Sequence, residues 1–216
     1  MRIEDILKHV DHTLLSVTAT SEEYIKLCDD GMKYGVASVC IPPSRVFECA
    51  QYVRKNDSKL PICTVVGFPN GYNQTQTKVN ESAEAIIQGA TEIDMVINIG
   101  KLKERDYIAV SQDIKMVRRA TEGYILKVII ETALLTDDEK KAMCEIVNNS
   151  GADYIKTSTG FASGGATFYD VILLRKYSAP HVKVKAAGGI TTLDDAIRFI
   201  KLGAERLGTS RIIKLV

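Results

Sequence analysis

The 216-residue sequence predicts an α/β fold, a single-domain (β/α)8 TIM barrel spanning residues 1–216, and three observations carry that expectation. Short apolar, β-branched runs alternate with helical segments along the whole length, with no low-complexity linker or composition shift to mark a boundary. Eight such runs can be counted, and a chain of this length lies near the lower limit of about 200 residues for that barrel. Junctions that pass from helix to glycine to short strand recur at Gly35, Gly89, Gly151 and Gly203, as repeated pairs of βα units would. An open doubly wound sheet is the alternative. It lacks its usual marks here, since no Gly-x-Gly-x-x-Gly follows the first strand and no Gly-Lys-Thr/Ser loop occurs.

In chain order, the first strand is expected at His9 to Thr13. Thr20 with Glu23 then forms a capping box, each side chain satisfying the other's orphan backbone N–H, and so starts a helix that stops at Gly35. Val36 to Ile41 and Ile62 to Val66 are the next strands, and a helix ending at Gly89 leads into Glu92 to Asn98. After Ile125 to Ile130, a second capping box, Thr136 with Glu139, opens a helix. Ala142, Met143, Ile146 and Val147 lie at core spacing along it before Gly151. Tyr154 to Thr157, Val182 to Ala187 and Arg206 to Thr209 complete the eight.

Composition removes several functions. With 28 Lys and Arg against 27 Asp and Glu, the net charge of +1 provides no electrostatic footprint for nucleic acid or anionic lipid. The N-terminus has acids within its first eight residues and no apolar run of signal length, so a cytoplasmic protein is expected. The uncharged stretch from Leu60 to Thr77 is broken by Pro61, Gly67, Pro69 and Gly71 and cannot span a membrane. Five widely spaced cysteines, Cys28, Cys40, Cys49, Cys63 and Cys144, form no zinc pattern and read as free thiols. His9 and His12 fall at a strand rather than on one helix face, and read as ordinary polar residues rather than metal ligands.

The chemistry lies in charges placed where a core belongs. Along Glu92 to Asn98, alternation puts Ile93, Met95 and Ile97 on one face and Glu92, Asp94, Val96 and Asn98 on the other. Helices cover the outside of a barrel, so Asp94 is expected to point inward, where an unpaired carboxylate is very costly. Lys127, Lys156, and Lys183 with Lys185 stand on three other strands as possible partners. Two cations in a dry cavity disfavour each other's charge, so one lysine can be neutral near pH 7 and attack an aldehyde or ketone. The resulting iminium ion is an electron sink for breaking or making a neighbouring carbon–carbon bond.

Small, uncharged loops follow three strands: Thr157 to Gly165, which includes Thr159 and Gly160; Ala186 to Ile190, with Gly188 and Gly189; and Gly208 to Ser210. Loops of this kind at the ends of the last strands of a barrel suit a phosphate held by backbone N–H groups.

These segments resemble the deoxyribose-phosphate aldolases, Schiff-base enzymes of the class I type. The resemblance runs from residue 9 to 210. It is carried by Asp11-His12-Thr13-Leu14-Leu15, Ser38-Val39-Cys40-Ile41, Gly67-Phe68-Pro69, Glu92-Ile93-Asp94, Leu126 to Thr132, Ile155 to Gly160, Lys185 to Gly189 and Gly208-Thr209-Ser210. It implies reversible cleavage of 2-deoxy-D-ribose 5-phosphate to acetaldehyde and D-glyceraldehyde 3-phosphate in deoxynucleoside breakdown, with no metal or other cofactor. It also implies a homo-oligomer, dimers being common in the family.

By that resemblance Lys156 is the Schiff-base lysine, Lys185 the second lysine that lowers its pKa, and Asp94 the acid/base that works with Lys185. Gly160, Gly188, Gly189 and Ser210 would contact phosphate with Thr159 beside them, and Cys40 would lie near the substrate or serve simply as a small buried hydrophobe. The sequence departs from the family in two places. Arg211 stands where many members have a small residue, and the chain lacks the longer tail whose terminal tyrosine some members use for proton transfer. Tyr154 and Tyr169 lie near the catalytic segment in sequence. A barrel enzyme for another sugar phosphate and a catalytically silent phosphate-sugar binding protein are the competing readings.

Overall fold

Strand runs that are apolar on one side and polar on the other can satisfy both sides by closing into a ring, with helices packed around the outside. The computed structural model, which describes residues 1–216, shows this closure. Its strands are β1 (Val10–Thr13), β2 (Ser38–Ile41), β3 (Ile62–Val66), β4 (Glu92–Val96), β5 (Ile125–Ile129), β6 (Tyr154–Lys156), β7 (Lys183–Ala187) and β8 (Arg206–Thr209). All neighbours are parallel in sequence order. The barrel is shut by β1 on β8, with Val10, Asp11 and His12 opposite Leu207, Gly208 and Thr209.

The helices are α1 (Ile3–Leu7), α2 (Ser21–Tyr34), α3 (Val46–Lys55), α4 (Thr75–Gln88), α5 (Ile99–Lys103), α6 (Tyr107–Ala120), α7 (Asp137–Asn148), α8 (Phe168–Tyr177) and α9 (Leu193–Lys201). Both expected capping boxes are formed, at Thr20/Glu23 on α2 and at Thr136/Glu139 on α7. Gly35 and Gly89 end α2 and α4 in the left-handed conformation, which glycine adopts without a Cβ penalty. Gly151 and Gly203 lie just beyond the ends of α7 and α9.

Strand residues of one parity, among them Val39, Ile41, Ile93, Met95, Leu126, Val128, Ile155, Val184, Ala186 and Leu207, belong to a core cluster of 46 buried residues with the inner sides of the helices. Residues of the other parity fill the barrel. Of these, Cys40, Cys63 and Val65 form a small separate apolar cluster.

Several expected strands are shorter than their apolar runs. Val36 and Ala37 precede β2, and β4 stops at Val96 because Asn98 turns to cap α5, its side chain accepting from the Lys101 N–H. Beyond β5 the backbone is broken by Glu131, which takes φ 55° and ψ 67°.

Candidate active site

The inward parity of β1, β4, β5, β6, β7 and β8 brings seven ionisable side chains together inside the barrel, and Asp94 lies at their centre. Its Oδ1 accepts from Lys127 Nζ at 2.7 Å and from Cys63 Sγ at 3.2 Å. Its Oδ2 accepts from Lys156 Nζ at 2.8 Å and Lys185 Nζ at 2.7 Å. Lys185 also donates to Asp11 Oδ2, and Asp11 Oδ1 accepts from Ser38 Oγ and from Arg206 Nη1, each at 2.6 Å. Arg206 reaches Glu92 at 3.0 Å, and Glu92 in turn meets Lys127 at 2.6 Å.

Removing such ions from water costs several kcal/mol each unless every charge is paired, and here each one is. Burial alone would push the Asp94 carboxyl up, but Lys127, Lys156 and Lys185 outweigh it and hold the group well below the usual carboxylate range. Asp11 is held down by Lys185, Lys127 and Arg206 against the same penalty. Burial works against the charge on Lys185 and Lys127, and their carboxylate partners overcome it and raise both.

With every group ionised, four cations face three carboxylates. Loss of one proton from this cluster therefore leaves it electrically balanced. Lys156 is the member that opens onto solvent-accessible space, because it alone lines the cleft above.

That cleft, of about 370 Å³, is bounded by segments that follow β1, β6, β7 and β8. It falls in the range of about 300–1,000 Å³ usual for small-ligand pockets. Thr159, Gly160, Gly188, Gly189 and Ser210 all line it, as do Thr13 to Ser16, Phe161 and Arg211. The backbone N–H groups of Gly160, Gly188, Gly189 and Ser210 make no hydrogen bond within the protein. Lys156 and Arg211 are the charged side chains of the lining. Glycine is required where two of the loops meet: a Cβ on Gly165 would lie 2.4 Å from the Gly188 carbonyl oxygen, where Ala166 N–H donates to the Ala187 and Gly188 carbonyls.

The structure thus brings Lys156, Lys185 and Asp94 into direct contact and sets the loop residues above them. Cys40 lies in the inner wall, 1% exposed, beside Cys63 and outside the cleft lining. Lys183 differs from expectation. It shares the inward parity of Lys185 but begins β7, so its side chain escapes into solvent and rests over the Tyr154 ring at 5.5 Å. The repulsion expected between Lys156 and Lys185 is accompanied by a counter-charge, since one oxygen of Asp94 accepts from both.

Neither tyrosine reaches the cleft. Tyr154 is buried one layer deeper in the barrel, and Tyr169 is exposed on α8 with its hydroxyl on Asp137. The histidines do not form a pair: His9 Nδ1 contacts the Glu205 carbonyl, while burial pushes His12 down to about 4. All five cysteines are free and buried. Two sets of groups, Cys40/Cys63/Asp94 and Asp11/Cys63/Glu92, come within 4.8 Å of one another, but their carboxylates are engaged by lysine and arginine.

Asp11 and Arg206 are the members of the network that sequence reasoning did not place in the site. Parity could have found them, since Asp11 alternates with Val10 and His12, and Arg206 with the outward Leu207. Glu131, buried beside Thr159, continues the odd-numbered parity of Lys127 but lies beyond the end of β5, where alternation no longer says which way a side chain turns.

The relatives agree with this architecture. Residues 6–210 match the model of the DeoC/LacD family aldolases. Deoxyribose-phosphate aldolases of Streptococcus agalactiae serotype V and Streptococcus pyogenes serotype M4 are each 55% identical over 216 residues, covering 100% of this chain and 96% of the relative. The structure of the tetrameric deoxyribose phosphate aldolase from Aeropyrum pernix superposes with a TM-score of 0.91 at 30% identity, covering 99% of this chain and 90% of that one. A lysine-bearing barrel interior, a glycine-rimmed cleft above it and a match over nearly the whole sequence lead to one assignment: the chain belongs to the DeoC/LacD aldolase family.

Proposed function

We infer that this aldolase cleaves 2-deoxy-D-ribose 5-phosphate reversibly to acetaldehyde and D-glyceraldehyde 3-phosphate through a lysine Schiff base. The observation that carries the reading is one carboxylate oxygen, Asp94 Oδ2, lying 2.8 Å from Lys156 Nζ and 2.7 Å from Lys185 Nζ directly beneath the cleft. It links an amine that can add to a carbonyl with a second site able to take up and return protons.

In the proposed sequence the neutral Lys156 amine attacks C1 of the open-chain sugar. Asp94 and Lys185 move the protons that turn the carbinolamine into an iminium ion with loss of water. The C3 hydroxyl then gives up its proton as the C2–C3 bond breaks, and that electron pair moves toward the iminium nitrogen to leave an enamine. Glyceraldehyde 3-phosphate departs, the enamine is protonated at C2, and water releases acetaldehyde and restores Lys156. The phosphate would rest on the unengaged N–H groups of Gly160, Gly188, Gly189 and Ser210, with Thr159 beside them; Cys40 stays in the inner wall, below the cleft lining.

Residues 1–216 would act as one catalytic domain. Five free cysteines suit a reducing, cytoplasmic setting, and no helix is long and apolar enough to cross a membrane. The chain is proposed to work as a homo-oligomer, a dimer or larger, the Aeropyrum pernix relative being a tetramer; light scattering reads its mass directly.

The test of the reaction is borohydride reduction in the presence of acetaldehyde, followed by intact mass and peptide mapping. One ethyl adduct on Lys156, together with release of both products from deoxyribose 5-phosphate, is the expected result. A folded protein that gains no adduct would overturn the Schiff-base reading.

Arg211 yields a separate prediction. Its guanidinium has no carboxylate partner in the protein and stands on the cleft rim, so it should draw in the dianionic substrate. Arg211→Ser is expected to raise KM for deoxyribose 5-phosphate by about 3- to 10-fold with little change in kcat, and to flatten the dependence of kcat/KM on salt. An unchanged salt profile would remove Arg211 from phosphate capture.

A further inference from the structure

We propose that Glu131 is a positioning residue for the phosphate half of the substrate, setting the Thr159–Phe161 loop from the neighbouring strand end. The proposal deepens the aldolase reading above and rests on it for the identity of the substrate.

Glu131 lies two residues beyond the end of β5, and its backbone is unusual: φ is 55° in a residue that is not glycine. A left-handed backbone is disfavoured for a residue with a Cβ and persists where its surroundings hold it. Its side chain is 2% exposed. Oε2 accepts two bonds from one residue, the Thr159 N–H at 3.1 Å and the Thr159 hydroxyl at 2.5 Å. The same hydroxyl oxygen accepts from the Phe161 N–H at 3.1 Å. A single carboxylate thus fixes the residues on both sides of Gly160, which takes φ +86°, lines the cleft and has an N–H without a protein partner.

The other carboxylate oxygen, Oε1, is buried and makes no protein hydrogen bond. All of the carboxylate's hydrogen bonds within the protein therefore run through Oε2 to Thr159. A negative charge so close to a phosphate site also works against anion binding, so direct contact with substrate is not its contribution. What the carboxylate supplies is two charge-assisted bonds, stronger than their neutral counterparts, that hold one loop in one shape while the strained backbone brings the side chain under it.

Glu131→Ala should raise KM for deoxyribose 5-phosphate and weaken the binding of inorganic phosphate, read by calorimetry, each by about 10-fold or more, as small displacements in a binding loop do. Turnover of unphosphorylated 2-deoxyribose and borohydride trapping with acetaldehyde should remain near wild type. Glu131→Gln, which keeps an acceptor for both Thr159 donors, should restore most of the phosphate affinity. Should Glu131→Ala not fold, Thr159→Val removes the hydroxyl from the other side of the same contact and should give the same phosphate-selective loss.

Equal losses on phosphorylated and unphosphorylated substrates, or no loss of phosphate affinity in either variant, would overturn the proposal. Calorimetry with inorganic phosphate separates the two readings. A wild-type protein that binds phosphate but cleaves no deoxyribose phosphate defeats the aldolase reading, while an active wild type whose variants show no phosphate-selective defect defeats the role of Glu131.

Discussion

Lys156→Ala is expected to lose at least about 10⁴-fold in turnover, the scale seen when a covalent nucleophile is removed, and to show no ethyl adduct after borohydride treatment with acetaldehyde. The remaining interior should tolerate the change. Taking away Lys156 removes one of four buried cations and leaves three facing three carboxylates, and Asp94 keeps Lys127 and Lys185 as donors. The variant should therefore unfold close to the wild-type temperature and bind inorganic phosphate with wild-type affinity. Loss of activity, retention of phosphate binding and retention of stability together separate a nucleophile from a structural lysine. Turnover within a factor of ten of wild type would assign the Schiff base elsewhere.

The reach of sequence reasoning differs between the fold and the site for a physical reason. Period-two alternation is a strong signal when one face packs under helices, so β4 could be read with Ile93 and Met95 outward and Asp94 inward, and both faces stand that way. The same logic places Lys127, Lys156 and Lys185 in the barrel. It fails for Lys183 because parity says which side a residue faces and not how deep it lies; at the mouth of the barrel the inward face is already wet. An apolar run outlasts its strand where a polar side chain captures the backbone, as Asn98 does when it caps α5.

The loops could be read as a candidate phosphate site because glycine and hydroxyl residues cluster after neighbouring strands, and those residues do line one cleft. Glu131 escaped for the opposite reason. Nothing in Ile129-Ile130-Glu131-Thr132 announces that a glutamate will adopt a left-handed backbone and turn beneath a loop some 28 residues away. Asp11 and Arg206 were missed because β1 and β8 are short and adjacent only through closure of the ring. Their contact is a property of the topology, not of any one segment.

Asp94→Asn should be costly to both chemistry and stability, and its pH dependence should reveal why. The substitution keeps the shape of the side chain but leaves four buried cations against two carboxylates. Breaking a buried ion pair from one side typically costs about 3–5 kcal/mol, and at this chain length each kcal/mol corresponds to roughly 2–4 °C in Tm. In the wild type, the folded carboxyl of Asp94 is held well below its unfolded value. Its contribution is therefore fully present above about pH 4 and is lost as pH falls through the folded value.

Lys185 and Lys127 are raised in the folded protein, so their contribution is present below about pH 10 and fades as pH rises through their folded values. The network thus stabilises the wild type most between those limits. In the variant, the crowded cations favour deprotonation on folding, so its stability should rise with pH across the alkaline range while that of the wild type does not. The difference in Tm between the two proteins should be widest near neutrality and narrow toward pH 10 and below pH 4. A gap that stays constant across this range would mean that Asp94 acts by packing, and the assignment of its charge to proton movement between Lys156 and Lys185 would fail with it.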